Sequence, residues 1–167
     1  MRTMGESEWR EFVLTGTRTG KLATHRADGR PHVTPVWFLL DEGEGGEAGR
    51  GTGRGRGGGV GTGDGQAVPM VVFTTWHASL KHKALRRDPR FSLCIDDQAP
   101  PFSYVMLECT AGFTDDPDTV RFWATRIAER YMGPDRAAEY GERNAVPGEY
   151  LVRATIDNVV SFQGVAD

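Results

Sequence analysis

Six runs of β-forming residues restrict what this chain can fold into more than any other feature it carries. Residues 20–25 (GKLATH) and 31–41 (PHVTPVWFLLD) flank RADGR, whose Asp28-Gly29 pair is a strong turn signal, so the two read as a hairpin. Residues 69–75 (PMVVFTT), 90–97 (RFSLCIDD) and 103–114 (SYVMLECTAGFT) follow, rich in Val, Phe, Tyr and Thr, and 151–162 (LVRATIDNVVSF) ends the series. Two of the five connections, 26–30 and 98–102, are short, whereas a parallel neighbour needs a crossover of about a dozen residues or more. The expected fold is mainly β with flanking helices, an antiparallel barrel rather than an alternating α/β sheet.

Helical signals are fewer. Trp9, Phe12 and Val13 share a face near the start. In DDPDTVRFWATRIAERYMGP, Asp116 suits the N-cap and Pro117 the first turn, while Val120, Trp123, Ala124, Ile127 and Tyr131 line one apolar side. Gly133-Pro134 ends that helix, and residues 135–144 read as a second, short one. With 167 residues the whole chain, 1–167, reads as one domain. Residues 43–65 interrupt it: thirteen of the 22 glycines lie there and no aromatic residue does, so a flexible loop inserted at a hairpin tip is expected.

Several function classes are set aside. Residues 53–58 (GRGRGG) match the G-x-G-x-x-G spacing of a dinucleotide site, but that site needs a strand directly before and a helix directly after, and neither is present. Arg50, Arg54 and Arg56 without interleaved aromatics make a poor RNA tract, so no nucleic-acid partner is expected. No run approaches 18 apolar residues, and MRTMGESEWR turns polar too soon for a secretory signal, so a cytoplasmic protein without a membrane partner is expected. Cys94 and Cys109 sit inside apolar runs as small hydrophobes, and no metal site is expected.

One segment goes against the chain's charge. Residues 79–90 (SLKHKALRRDPR) hold five basic residues and one acid, +4 within a chain of net −3. Ser79 is placed to cap a helix from Leu80 to Arg87, which Asp88-Pro89 stops. Lys81 in its first turn opposes the helix dipole unless an anion sits there. Arg86 and Arg87 are comfortable in the last turn, and Lys83 reads as solvated. Hydroxyls of Thr74, Thr75 and Ser79 beside the helix start would suit a phosphate. Upstream, Pro35 breaks the alternation of its strand and implies an edge or a bulge. The exposed backbone there, with Val36 and Trp37, could lie along a flat ring, although Trp37 and Phe38 also fit a plain core. Tyr104 and Tyr131 are expected in the core, and His25 and His82 at the surface.

The blocks GKLATHRADGRPHVTPVWFLLD, VFTTWHASLKHKALRRDPRFSLCIDD, SYVMLECTAGFTDDPD, RYMG and VPGEYLVRATIDNVVSFQG resemble the pyridoxamine 5′-phosphate oxidase-like family, and more narrowly its branch that uses coenzyme F420, a deazaflavin. The resemblance runs from about residue 15 to 166, apart from the glycine run. It implies a split β-barrel homodimer with cofactor clefts at the subunit interface. It implies that Thr34, Pro35, Val36 and Trp37 lie along the ring. Thr74, Thr75, Ser79, Leu80 and Lys81 would hold the phosphate and the anionic tail, with Arg86 and Arg87 reaching toward the tail's outer carboxylates. The implied activity is hydride transfer between the deazaflavin C5 and a small electrophilic organic substrate. The alternatives are an FMN-dependent oxidase-like enzyme and an F420 carrier without turnover. Thr34 and Leu39 stand where pyridoxamine phosphate oxidases carry Arg and Lys, which favours the deazaflavin branch. No catalytic residue is assigned; His32 and His77 are the nearest titratable candidates.

Overall fold

The computed structural model describes residues 1–43 and 69–167. The glycine-rich run, with the G-x-G-x-x-G match and its arginines, lies almost wholly outside the described residues. Among the described residues the strands are β1 Gly20–His25, β2 Pro31–Val36, β3 Leu39–Asp41, β4 Met70–Trp76, β5 Arg90–Asp96, β6 Tyr104–Thr114 and β7 Glu149–Phe162. The helices are α1 Glu6–Leu14, α2 Leu80–Arg87, α3 Pro117–Met132 and α4 Pro134–Asn144. The strands form one sheet in the order β2-β1-β5-β6-β7-β4-β3, every pairing antiparallel.

That order forces the sheet to curl. β2 and β3 stand at opposite edges, yet only Trp37 and Phe38 separate them. Three residue steps span at most about 10 Å, so the two edges must come within that distance. The accumulated twist of seven strands supplies the curvature. The expected single strand 31–41 is therefore two strands, and the sheet has seven strands rather than six. Backbone pairing explains the difference: one edge ladder ends at Val36 on β1, and another begins at Leu39 on β4.

Inward-facing residues fill the barrel in rows. Leu22, Leu93 and Leu107 stand opposite one another on β1, β5 and β6, all fully buried. Phe91 faces Cys109 and Ile95 faces Val105 in the next rows. Burying each such side chain contributes roughly 1.5–3 kcal/mol. α1 lays Trp9 and Val13 against this core.

α3 starts as its sequence predicts: Asp116 Oδ2 accepts the Thr119 N–H at 2.9 Å, and Pro117 occupies the first turn. Val120, Ala124, Ile127 and Ala128 are its buried face, whereas Trp123 is only partly covered. Gly133, at φ 86°, ends α3 in a backbone region that glycine favours, and α4 follows at once. α4 packs closely on α3, where a Cβ on Gly141 would lie 2.0 Å from Thr125 Oγ1.

Candidate functional site

A half-open cleft of about 250 Å³ lies where the chain leaves β2. Pro35, Val36 and Trp37 form one wall, Thr74 of β4 and Lys81 of α2 the polar end. Ala124, Ile127 and Ala128 of α3, with Tyr140 and Asn144 of α4, close the opposite side. The wall follows from local alternation. Where the ladder stops, Phe38 turns fully into the core and Trp37 turns outward, 38% exposed. One face of the Trp37 ring lies on Tyr131, with centroids 5.1 Å apart and planes 3° from parallel, and Tyr140 meets it at 51°. Ala124 and Ala128 are short enough to leave space beneath α3.

The polar end joins three groups. The Thr74 hydroxyl hydrogen-bonds the Glu149 carboxyl, and Lys81 lies within electrostatic reach of the same acid. Burial pushes the Glu149 carboxyl above its ordinary range, while the Thr74 bond and the Lys81 charge pull it back part of the way. Lys81 in the first turn of α2 thus has a carboxylate nearby, which offsets part of its conflict with the helix dipole. Ser79 caps α2 as expected, accepting the His82 N–H at 3.2 Å, and its hydroxyl also meets Thr75 Oγ1 at 3.1 Å. A second cavity of about 260 Å³ lies beyond Glu149, against Pro117, Val120 and residues 145–148.

Five of the ten cofactor-contact residues expected from the sequence meet at the cleft: Pro35, Val36, Trp37, Thr74 and Lys81. The other five do not line it. Thr34 is half-buried on β2, Thr75 is buried and engaged by Ser79, and Leu80 is exposed. Arg87 donates to the His25 carbonyl across the top of β1. Arg86 is exposed and sits over the Phe113 ring. His32 is half-buried on β2 and His77 is exposed against Trp76; neither lines the cleft. His82, expected at the surface, is buried between Phe113 and Tyr150, because α2 turns that face onto β6 and β7. Tyr131 is only half-buried and carries Trp37.

Sequence reading missed the side of the cleft supplied by α3 and α4, and Glu149. Ala124, Ile127 and Ala128 have the spacing of ordinary core residues, and nothing local marks them as a cleft wall. Tyr140 and Asn144, four apart on α4, were the one usable signal, a polar–aromatic pair on a single face.

A cleft set where a curled antiparallel sheet leaves one edge for the other belongs to the split β-barrel class. The defining sequence pattern described as pyridoxamine 5′-phosphate oxidase matches residues 6–161, and the chain belongs to that family. Among solved structures it is similar to the conserved hypothetical protein Rv2991 of Mycobacterium tuberculosis, at 25% identity and TM-score 0.71, covering 96% of this chain and 86% of that one. An F420 reductase matches at 20% identity and TM-score 0.58, over 90% and 94% of the two chains. An FAD-binding protein of Mesorhizobium loti matches at 17% and 0.57, over 96% and 93%. No curated protein sequence matches at a significant level.

Proposed function

We propose that the protein is an oxidoreductase that binds coenzyme F420 in the Trp37–Thr74–Lys81 cleft and uses it on a small electrophilic organic substrate. The observation that carries this reading is the meeting of a part-exposed indole with a hydroxyl–lysine pair in one half-open cleft. These residues fit a flat ring with an anionic chain: Trp37 and Val36 offer an apolar wall, Thr74 a hydrogen-bond donor and Lys81 a cation. Thr34, Thr75, Ser79, Leu80 and Arg87 would serve the same cofactor from the flanks. Membership of the family and the fold shared with an F420 reductase and an FAD-binding protein support a flavin-type cofactor. When bound, a deazaflavin supplies a hydride at ring carbon C5. The chain's own part is to bind, orient and shield the ring: the β2 exit covers one side, and α3 and α4 narrow the opening.

The elements around the cleft also carry exposed apolar side chains, Val33, Trp76 and Leu80. A second copy of the chain covering them would complete the cleft, which sedimentation of the purified protein tests directly.

Fluorescence titration of the purified protein with F420 and, in parallel, with FMN tests the cofactor. Micromolar or tighter F420 binding with weak FMN binding supports the deazaflavin reading, and the reverse preference moves the protein to the flavin side of the family. Binding without reduction of any electrophile in a broad screen would make it a carrier, and binding of neither cofactor would sink the proposal.

A further inference from the structure

The C-terminal turn of α3 holds the β2–β3 crossover by its backbone. The Arg130 guanidinium donates to three carbonyl oxygens, of Val13 at 2.7 Å, Gly16 at 3.0 Å and Phe38 at 2.9 Å. These come from α1, the turn after it and the crossover. The next residue acts on the same segment: the Tyr131 hydroxyl donates to the Arg18 carbonyl at 2.8 Å and accepts the Phe38 N–H at 3.4 Å. Phe38 thus has its N–H and its C=O held by consecutive residues of one helix. Its neighbour Trp37 lies flat on the Tyr131 ring. The Arg130 guanidinium sits 4.9 Å from both the Phe38 and the Tyr131 ring centroids. Burial raises the Tyr131 phenol above its ordinary range, so it stays neutral and able to donate.

A side chain that follows the end of a strand is not aligned by ladder pairing, and a large part-exposed indole has freedom to lose when a ligand packs on it. Something must order it beforehand if the wall is to be preformed. We propose that Tyr131, held beside Arg130 against the crossover, is a positioning residue that fixes the plane of Trp37 and so the orientation in which a flat ring packs into the cleft. The inference rests on the cofactor reading above.

The test is titration of wild-type protein, Tyr131→Leu and Tyr131→Phe with two ligands, F420 and its phosphate-free ring-and-ribityl core, alongside thermal melts. Tyr131→Leu removes the stack and is expected to weaken both ligands about tenfold, the scale of a good aromatic pair. Tyr131→Phe keeps the stack and is expected to stay within about threefold of wild type. Lys81→Ala should weaken only the phosphate-bearing ligand, which separates the two ends of the cleft. Because Tyr131→Leu also removes hydrogen bonds that hold the crossover, Trp37→Leu is measured in parallel and should show the same loss on both ligands. Lowered melting with unchanged affinity for both ligands, read well below the melting temperature, would show a purely structural residue and overturn the inference. Loss confined to the phosphate-bearing ligand, or unchanged affinity in Trp37→Leu, overturns it equally. Wild-type protein that binds neither ligand removes the cofactor reading, and this inference with it.

Discussion

Lys81 lines the cleft and has the carboxyl of Glu149 within electrostatic reach. If a phosphate occupies the cleft, Lys81→Ala removes a charge-assisted contact and should weaken F420 binding by about 1–3 kcal/mol, read by fluorescence titration. Affinity within twofold of wild type would place the anion elsewhere. His82 makes a different kind of prediction. Its ring is buried with Nδ1 unpartnered, and burial, followed by the Arg86 and His77 charges, holds its pKa below the ordinary 6.5. The neutral ring suits the folded chain, whereas the unfolded chain takes up a proton near pH 6.5. Stability is therefore fully present above that pH and declines as the pH falls below it. Thermal melts from pH 8 to 5 should show this decline in wild-type protein and a flatter profile in His82→Leu. Equal slopes would mean that other groups carry the acid sensitivity. The cap and the cations of this segment were legible at residue scale, since a cap acts within three residues. The inward face of His82 was not, because it depends on which strands α2 lies against.

α3 and α4 form the wall opposite the β2 exit only because they approach closely. Gly141 permits it: a Cβ there would meet Thr125, whose β-branched side chain is pinned by a 2.8 Å hydrogen bond from its hydroxyl to the Arg121 carbonyl. Gly141→Ala should therefore destabilise the fold by about 1–3 kcal/mol despite alanine's better helix propensity, as a lower melting temperature would show. A rise would mean that the helices separate without cost. α3 was readable from its cap and apolar spacing, down to Asp116, Pro117 and Gly133, and α4 as a short helix over 135–144. Their contact was not, because glycine in a polar helix reads as a weakness until the neighbouring helix is in place.

β3 and β4 meet with Asp41 opposite Met70, so the two ends of the segment that joins them are already side by side. A short turn can join such ends, and loop length adds only slowly to closure entropy. Replacing residues 43–65 by a short turn should leave the melting temperature and F420 affinity nearly unchanged; loss of either would assign that segment a structural part. The sequence by itself determined the helices and the strands other than the division of 31–41, because period-two alternation, caps and prolines act over a few residues. It also carried Thr74 and Lys81 of the cleft's polar end, since both belong to one strand–turn–helix unit that Ser79 caps. Only the tertiary structure decided that residues 31–41 divide between opposite edges of the sheet, that Trp37 turns out as Phe38 turns in, and that Ala124, Ala128 and Tyr140 face Pro35. Those choices depend on closure of a seven-stranded sheet, which pairs residues far apart in the chain. An apolar residue has the same local pattern whether it faces a filled core or an open cleft.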